Sequence, residues 1–547
     1  FYMLQKLGFA PGFNKQVTET GAEGQWFDGD NVRFRYGTPE KIGGWSQLGA
    51  NKLTGAARAL HHWDDNAGIK YAAIGTNRIL YAYSGGTYYD IHPIRTTIAG
   101  ANFTSTSSST TVTVTVGTSH GLLENDIVLF DSVTGLSGST FTNATFEDQK
   151  FMVTTVPTNT TFTLTMAVQE SGTPLSGSGS ASVLCYYAVG PAQQAGGFGW
   201  GTGLWSGTAP GPVATTLSAG INDAVTVIPL TSSSNFPSTG EIRIGTEDIS
   251  YTSIVGNNLE GATREINGTT KDAHLSGAAV TNITDFVGWG EASSDDFTID
   301  PGLWVLDNYG TKLIALIYNG ECFEWDAAAV GATSTRATII TGAPTASRHV
   351  LVSTPDRHLV FFGTETTIGT KSTQDDMFIR FSSQEDINEY TVKAENTAGT
   401  QRLAAGSKIM GAIKGRDAIY VWTDTSLFLM QFVGQPFTFS FSQVGTNCGL
   451  LGKNACVEVD GTAYWMSENG FFIYDGQLKS MACLVEDFVY DSLNSTPRDL
   501  IFAGVNNLFG EVSWFYPNGG SEVLNRNVTY NYLDSSPKRP IWTTGSL

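Results

Sequence analysis

A strand-sized apolar run, a short polar turn and a second run closing on an aromatic residue recur along this chain. The pairs are residues 71–75 with 78–90, 304–310 with 313–325, 358–363 with 377–382, 418–424 with 426–432, and 462–470 with 471–476. Apolar runs of about four to eight residues bounded by Gly, Asn, Asp or Pro are strand signals, and sustained helical periodicity is missing. Successive units lie roughly 40 to 60 residues apart, near the length of a four-stranded propeller blade. The expected fold is all-β: an irregular β-propeller interrupted by inserted small β-barrel or β-sandwich modules. A tandem of unrelated β-sandwiches produces similar short strands and is the alternative.

Composition agrees with tightly turned β-structure. Of 547 residues 62 are Gly and 12% are aromatic, while only 15% are charged; Gly makes corners and aromatic rings cover sheet faces. The region from about residue 95 to 286 differs, being dominated by Ser, Thr, Gly and Val. Its first half alternates strictly at 111–116 and has further runs at 126–130, 150–155 and 161–166, enough for one small barrel or sandwich. Its second half has runs at 224–228, 240–252, 258–264 and 274–280, enough for another. The expected organisation is an N-terminal arm and first propeller part over 1–95, an inserted β-module over 96–187, a Gly/Trp-rich connector over 188–212, a second inserted module over 213–285, and the remaining blades over 286–547. The segment from 528–532 to 541–542 is expected to complete its blade with an amino-terminal strand, closing the propeller.

Charge and motifs narrow the function. Lys and Arg number 31 against 51 Asp and Glu, a formal charge of -20, which opposes gripping a phosphate backbone. No run of about 18 apolar residues is present, so no membrane segment is expected, and no signal peptide either. The five cysteines are scattered and odd in number, which suits a reduced assembly site, and Cys448 and Cys456 stand too far apart for zinc-ribbon spacing. There is no Walker-type loop, no His-Glu-x-x-His, no Gly-x-Ser-x-Gly and no dinucleotide glycine pattern. The expectation is therefore no enzyme: no catalytic residue, no cofactor and no metal.

Three groups of residues bear on that expectation. His61 and His62 are neighbours on a strand and point to opposite faces, so they suit solvent-facing or blade-packing roles. The carboxylate pairs Asp64–Asp65, Asp295–Asp296, Asp375–Asp376 and Glu385–Asp386 lie in turn-like contexts, where Asp stabilises the turn, and Asp307–Asn308 and Asp424 read as turn residues within blades. The connector is the most suggestive stretch: Phe198, Trp200 and Trp205 sit among glycines, as candidate interface residues or as plugs between domains.

Several segments together resemble the tail nozzle (distal tail-tube) proteins of short-tailed bacteriophages. Pro11-Gly-Phe-Asn-Lys15 and Trp26-Phe-Asp-Gly-Asp-Asn-Val-Arg-Phe-Arg-Tyr-Gly-Thr-Pro-Glu-Lys-Ile-Gly-Gly-Trp45 are similar to the opening arm of such proteins. The stretch 235–251 with 259–264 resembles a small β-module of phage structural proteins, and 377–382, 421–424, 430–434, 464–467, 472–476 and 511–517 resemble a set found together in tailed-phage virion proteins. The resemblance implies a structural virion protein: a homo-oligomer forming a hexameric ring, below a tail adaptor protein and beside tail fibres or spikes. It implies a channel for genome ejection through which phage DNA passes without specific binding, and location in the virion tail after assembly in the host bacterial cytoplasm. A phage receptor-binding or carbohydrate-recognising or carbohydrate-cleaving tail protein is the alternative.

Overall fold

The computed structural model describes residues 8–44, 52–191, 195–196, 214–234, 236–266, 268–284, 298–299, 301–329, 331 and 335–547. They fall into two compact units, one comprising residues 1–193 with 301–547 and the other residues 194–300.

The first unit contains six four-stranded antiparallel sheets in simple meander order, the blades of a propeller. Blade 1 is Ala57–Asp64, Lys70–Thr76, Leu80–Ser84 and Thr87–Asp90; blade 2 is Trp304–Tyr309, Lys312–Ile317, Cys322–Asp326 and Thr338–Ile339. Blade 3 is Ser347–Ser353, His358–Thr364, Phe378–Phe381 and Gly399–Arg402; blade 4 is Ile409–Lys414, Ile419–Thr423, Ser426–Gly434 and Thr438–Thr446. Blade 5 is Cys456–Val459, Thr462–Ser467, Gly470–Tyr474 and Leu478–Ser480; blade 6 is Phe502–Asn506, Glu511–Tyr516, Arg526–Asn531 and Trp542–Ser546. The first strand of each blade is innermost, and these inner strands neighbour one another in blade order.

Aromatic residues that mark the repeat in the sequence join neighbouring blades. Trp304 of blade 2 donates its indole N–H to the Thr76 carbonyl of blade 1 at 2.9 Å, and Trp514 of blade 6 donates to the Ala455 carbonyl beside blade 5 at 3.0 Å. Trp422 and Trp465 pack edge to face across blades 4 and 5, with centroids 5.3 Å apart. Trp304, Trp465 and Trp514 bury large areas while each donates its one polar hydrogen to a backbone carbonyl. Gly75 makes room for this packing, since a Cβ there would stand 2.6 Å from the Trp304 ring.

Blade 6 corrects one expectation. All four of its strands come from the carboxyl-terminal part of the chain, because residues 526–546 form their own hairpin, and among the described residues no amino-terminal strand joins it. The amino-terminal arm instead clasps the outer strand through side chains: Asn31 Nδ2 donates to the Ser546 carbonyl at 3.0 Å, and the Ser546 N–H donates to Asp30 Oδ1 at 2.8 Å.

Between blades 1 and 2 the chain builds a closed six-stranded barrel from Ile94–Ser105, Thr111–Thr115, Ile127–Thr134, Lys150–Thr158, Thr161–Thr165 and Ser178–Tyr186. Alternation sends Val112 and Val114 inward against Phe103, Phe130, Phe146 and Phe162, while the intervening threonines face out. Asp90, at the end of blade 1, ties this barrel to the propeller. It accepts from the Tyr186 hydroxyl at 2.6 Å and pairs with Lys150 at 2.7 Å, both in barrel strands, and with Arg336 of blade 2 at 3.1 Å.

The second unit is a small β-module with four strands in the order Ala214–Thr216, Ala279–Asn282, Gly240–Ile244 and Glu247–Tyr251, and three in the order Val227–Pro229, Asn258–Glu260 and Ser253–Val255. Its core is Ile228, Ile242, Ile244, Ile249, Leu259 and Val280.

Candidate functional site at the propeller axis

Inner strands converge on a propeller's axis, so a polar residue there reaches several blades at once. Asp307, in the inner strand of blade 2, does so. Its carboxylate accepts the Val352 N–H of blade 3 at 2.7 Å and the Lys414 ammonium of blade 4 at 2.7 Å, and it stands 4.0 Å from His61 Nε2 of blade 1. His61 also meets Asn308 Oδ1 at 3.0 Å. Asp307 and Asn308 are thus strand residues rather than the turn residues that the sequence suggests: a strand packed apolar on one side carries polar groups where it meets the axis. His61 is half-buried on the axis side and His62 is exposed, so the two point apart as neighbours on a strand must.

Two further buried polar groups join this region. His349 lies in the inner strand of blade 3 with Nδ1 unpaired, and burial, reinforced by the Lys453 charge, pushes its pKa down to about 4 against the opposing Ala412 carbonyl. Lys453 is buried, with its ammonium 3.4 Å from the Trp304 carbonyl and 4.8 Å from the Tyr318 ring centroid. Burial also lowers the His61 pKa, with Asp307 opposing. The axis therefore holds a brace of interlocked groups from blades 1 to 4. Sequence reasoning missed His349, Lys414 and Lys453; a polar side chain inside a strongly apolar strand, as at 347–353, is the signal that marks such positions.

A second polar array pins blade 3. His358 Nδ1 sits 2.5 Å from Asp356 Oδ2, its Nε2 lies 3.0 Å from Thr397 Oγ1, and the Ser353 hydroxyl donates to the other Asp356 oxygen. The order matches a catalytic relay. His358, however, is fully buried among the rings of Phe381, Phe432 and Phe439, and Thr397 Oγ1 already accepts the Gln384 N–H at 2.7 Å. The array holds a loop to its blade.

The remaining candidates have structural partners. Asp64 pairs with Lys70, Asp65 accepts the N–H groups of Ala67 and Ile69, Asp375 pairs with Arg402, and Asp376 pairs with Arg348. Asp386 caps the Asn388 N–H, and Asp424 binds Ser407 in the turn within blade 4. Asp295 and Asp296 lie outside the described residues, as do Phe198, Trp200 and Trp205 of the expected interface. Cys448 and Cys456 are both buried and free. Among the described residues Asp131, Glu147 and Asp148 form the one grouping with metal-compatible spacing, and Glu147 is already held by the Ser132 and Val133 N–H groups at 3.1 and 2.6 Å. A shallow cleft of about 460 Å³ opens between blade 1 and the barrel. Of its two cations, Arg78 donates to the Asn125 carbonyl and Lys150 is paired with Asp90. No helix among the described residues is long and apolar enough to cross a membrane.

Comparison with known proteins adds distant likenesses only. No known family model matches the chain, and no curated protein does. Among solved structures, the phage phi92 endosialidase is similar at 12% identity and a TM-score of 0.20, covering 84% of this chain and 52% of its own. The chain thus spans about half the length of that enzyme. Apo AztD from Citrobacter koseri is similar at 8% identity and a TM-score of 0.26, covering 61% of this chain and 98% of its own. The extracellular domain of a hybrid two-component system from B. thetaiotaomicron is similar at 11% identity and a TM-score of 0.29, covering 90% and 72%. At these TM-scores the superpositions carry neither fold nor function for this chain, both of which rest on its own residues.

Proposed function

We propose that this chain is a structural protein of a tailed-phage particle, a subunit of the tail nozzle ring through which the genome leaves and to which tail attachments dock. The observation that carries the reading is the state of the propeller axis. There Asp307 is taken up by Val352 and Lys414 from two other blades while His61 of a third is held by the adjacent Asn308, so the groups that could do acid–base work brace the blades against one another. A propeller built this way is a stiff frame for inserted modules, with the genome's path lying between copies and not along the axis of one chain.

Two other features support it. The arm and blade segments carry the resemblance to nozzle proteins described above. The charge of -20 gives a ring of such chains a surface along which DNA slides without being held. Location in the virion tail and assembly in the bacterial cytoplasm belong to the same proposal. The test is native mass spectrometry of the purified protein with electron-microscopy class averages. Six-fold rings with a hole wide enough for duplex DNA are expected; a trimer that cleaves glycans would replace this reading with the receptor-binding one.

A further inference from the structure

The outer edges of the six blades are not alike. In blades 1, 2, 3 and 5 the outermost strand is short: Thr87–Asp90, Thr338–Ile339, Gly399–Arg402 and Leu478–Ser480, with two to four residues each. Three of these four carry a charge, at Asp90, Arg402 and Lys479. The five-residue outer strand of blade 6, Trp542–Ser546, is clasped by the arm. Blade 4 differs from all of them. Its outer strand Thr438–Thr446 runs for nine residues, it is last in its sheet, and neither it nor its partner strand contains a charged residue. The uncharged stretch extends over residues 425–452, from just after Asp424 to just before Lys453. A long uncharged edge presents a row of backbone N–H and C=O groups to any chain able to pair with it, which is why edges are usually shortened, charged or covered.

The hairpin also reaches beyond its blade. The second strand of blade 4 pairs with the third only as far as Ile419 with Met430, whereas the third and fourth continue through Phe432 with Phe439 to Gly434 with Thr438. The tip exposes Phe437 at 78%, Val433 at 54% and Phe432 at 44%. It is a held structure: Thr438 Oγ1 donates to the Thr397 carbonyl at 3.2 Å, and Phe439 packs on Phe381 with centroids 4.9 Å apart. A bulge at Val444 and the approach of Leu478 to Gly445 end the free edge, and a second register shift at Val433 opposite Thr438 leaves Phe439–Gln443 regular.

We propose that this hairpin is where a second copy of the chain docks, through the Ser440–Gln443 edge and the Phe432, Val433 and Phe437 tip. The charge of the chain selects that occupant. Two copies at -20 each repel wherever acidic surfaces meet, so a contact is less costly where one of the two meeting faces presents no charge, and in a ring this hairpin meets a different face of the next copy. Strand addition then supplies directional hydrogen bonds and the tip supplies apolar burial. The inference rests on the ring reading above and names the surface on which that ring depends.

The experiment compares the full-length protein with Phe437→Asp and Ser442→Lys, both at exposed positions, by mass photometry and electron microscopy. Phe437→Leu serves as the conservative control, and matched thermal melts confirm folding. The expected result is self-association weakened at least about tenfold by each charged variant and retained by Phe437→Leu. Rings that persist unchanged in both charged variants overturn the inference while the nozzle reading stands. Assemblies that are not rings, yet dissolve in Phe437→Asp, keep the inference and remove the nozzle reading. A wild-type protein that stays monomeric at about 100 µM overturns the inference. So does binding to phosphatidylcholine vesicles that Phe437→Asp abolishes without changing self-association, since the occupant is then a lipid surface.

Discussion

The six-stranded barrel and the module of the second unit are both small inserted β-structures, and they are held together by opposite chemistry. The barrel closes on itself and fills its interior with rings: Phe103, Phe130 and Phe146 meet with centroids 4.5 to 5.7 Å apart. Its one fully buried carboxylate, Glu170, has no cation. It accepts from Ser105 Oγ at 2.9 Å, from the Thr140 N–H at 2.9 Å, and from the Ser139 hydroxyl. The module has open sheets and a smaller core, and it gathers its loops around a buried ionic centre. There Glu247 takes two bonds of 2.6 Å from Arg264, one of 2.8 Å with His274 and one of 3.2 Å from the Asp272 N–H. Closure frees a sheet from needing ionic fasteners; an open sheet with long loops draws them to a common charge.

The largest effect that bears on this contrast is expected from Glu247→Ala. It leaves Arg264 buried without its counter-charge, at a cost of about 3–5 kcal/mol. Hydrogen exchange should rise in Gly240–Ile244 and Glu247–Tyr251 while the barrel strands stay protected; an effect spread equally over both would break the contrast. The double change Glu247→Leu with Arg264→Met sharpens it, because an apolar pair of similar volume should restore most of that loss.

Acid should come next. Burial raises the Glu170 pKa, but the hydrogen bonds from Ser139, Thr140 and Ser105 outweigh it and hold the group at about 2 against an ordinary value near 4.5. A depressed carboxylate contributes stability that is fully present above its unfolded value and is lost as pH falls toward the folded one. The urea midpoint of the barrel should therefore fall between about pH 4.5 and 2, and Glu170→Gln should flatten that fall. For Glu247, burial also raises the pKa while Arg264 and His274 lower it further, so the module loses stability in the same direction. Smaller still is Phe146→Leu, a near-volume swap in the barrel core expected to cost under about 1.5 kcal/mol by denaturant titration. The smallest effect is Lys70→Ala, which removes an exposed pair with Asp64 and should stay below about 1 kcal/mol.

The all-β class and the blade strands were legible because their signals are local: Lys312–Ile317 and His358–Thr364 are continuous apolar runs, and Thr111–Thr115 alternates. The barrel's long flanking strands Ile94–Ser105 and Ser178–Tyr186 were harder, being threaded with Ser, Thr and Gly and made into strands by closure around the Phe cluster. The axis was not legible. Asp307, His349 and Lys414 lie far apart in sequence and become neighbours only when inner strands converge. The Asp307–Asn308 pair shows why local reasoning misplaced it: the two residues best known for turns also suit a strand whose polar side faces other blades.

The five cysteines carry a practical consequence. All are buried and unpaired, and burial raises the pKa of each, to about 11 at Cys185 and about 12 at Cys456. The native protein thus offers no thiolate to a maleimide or to peroxide. Its own thiols then serve as an unfolding clock, silent until a core opens. A single cysteine introduced at Phe437 would be the one reactive handle on a folded chain.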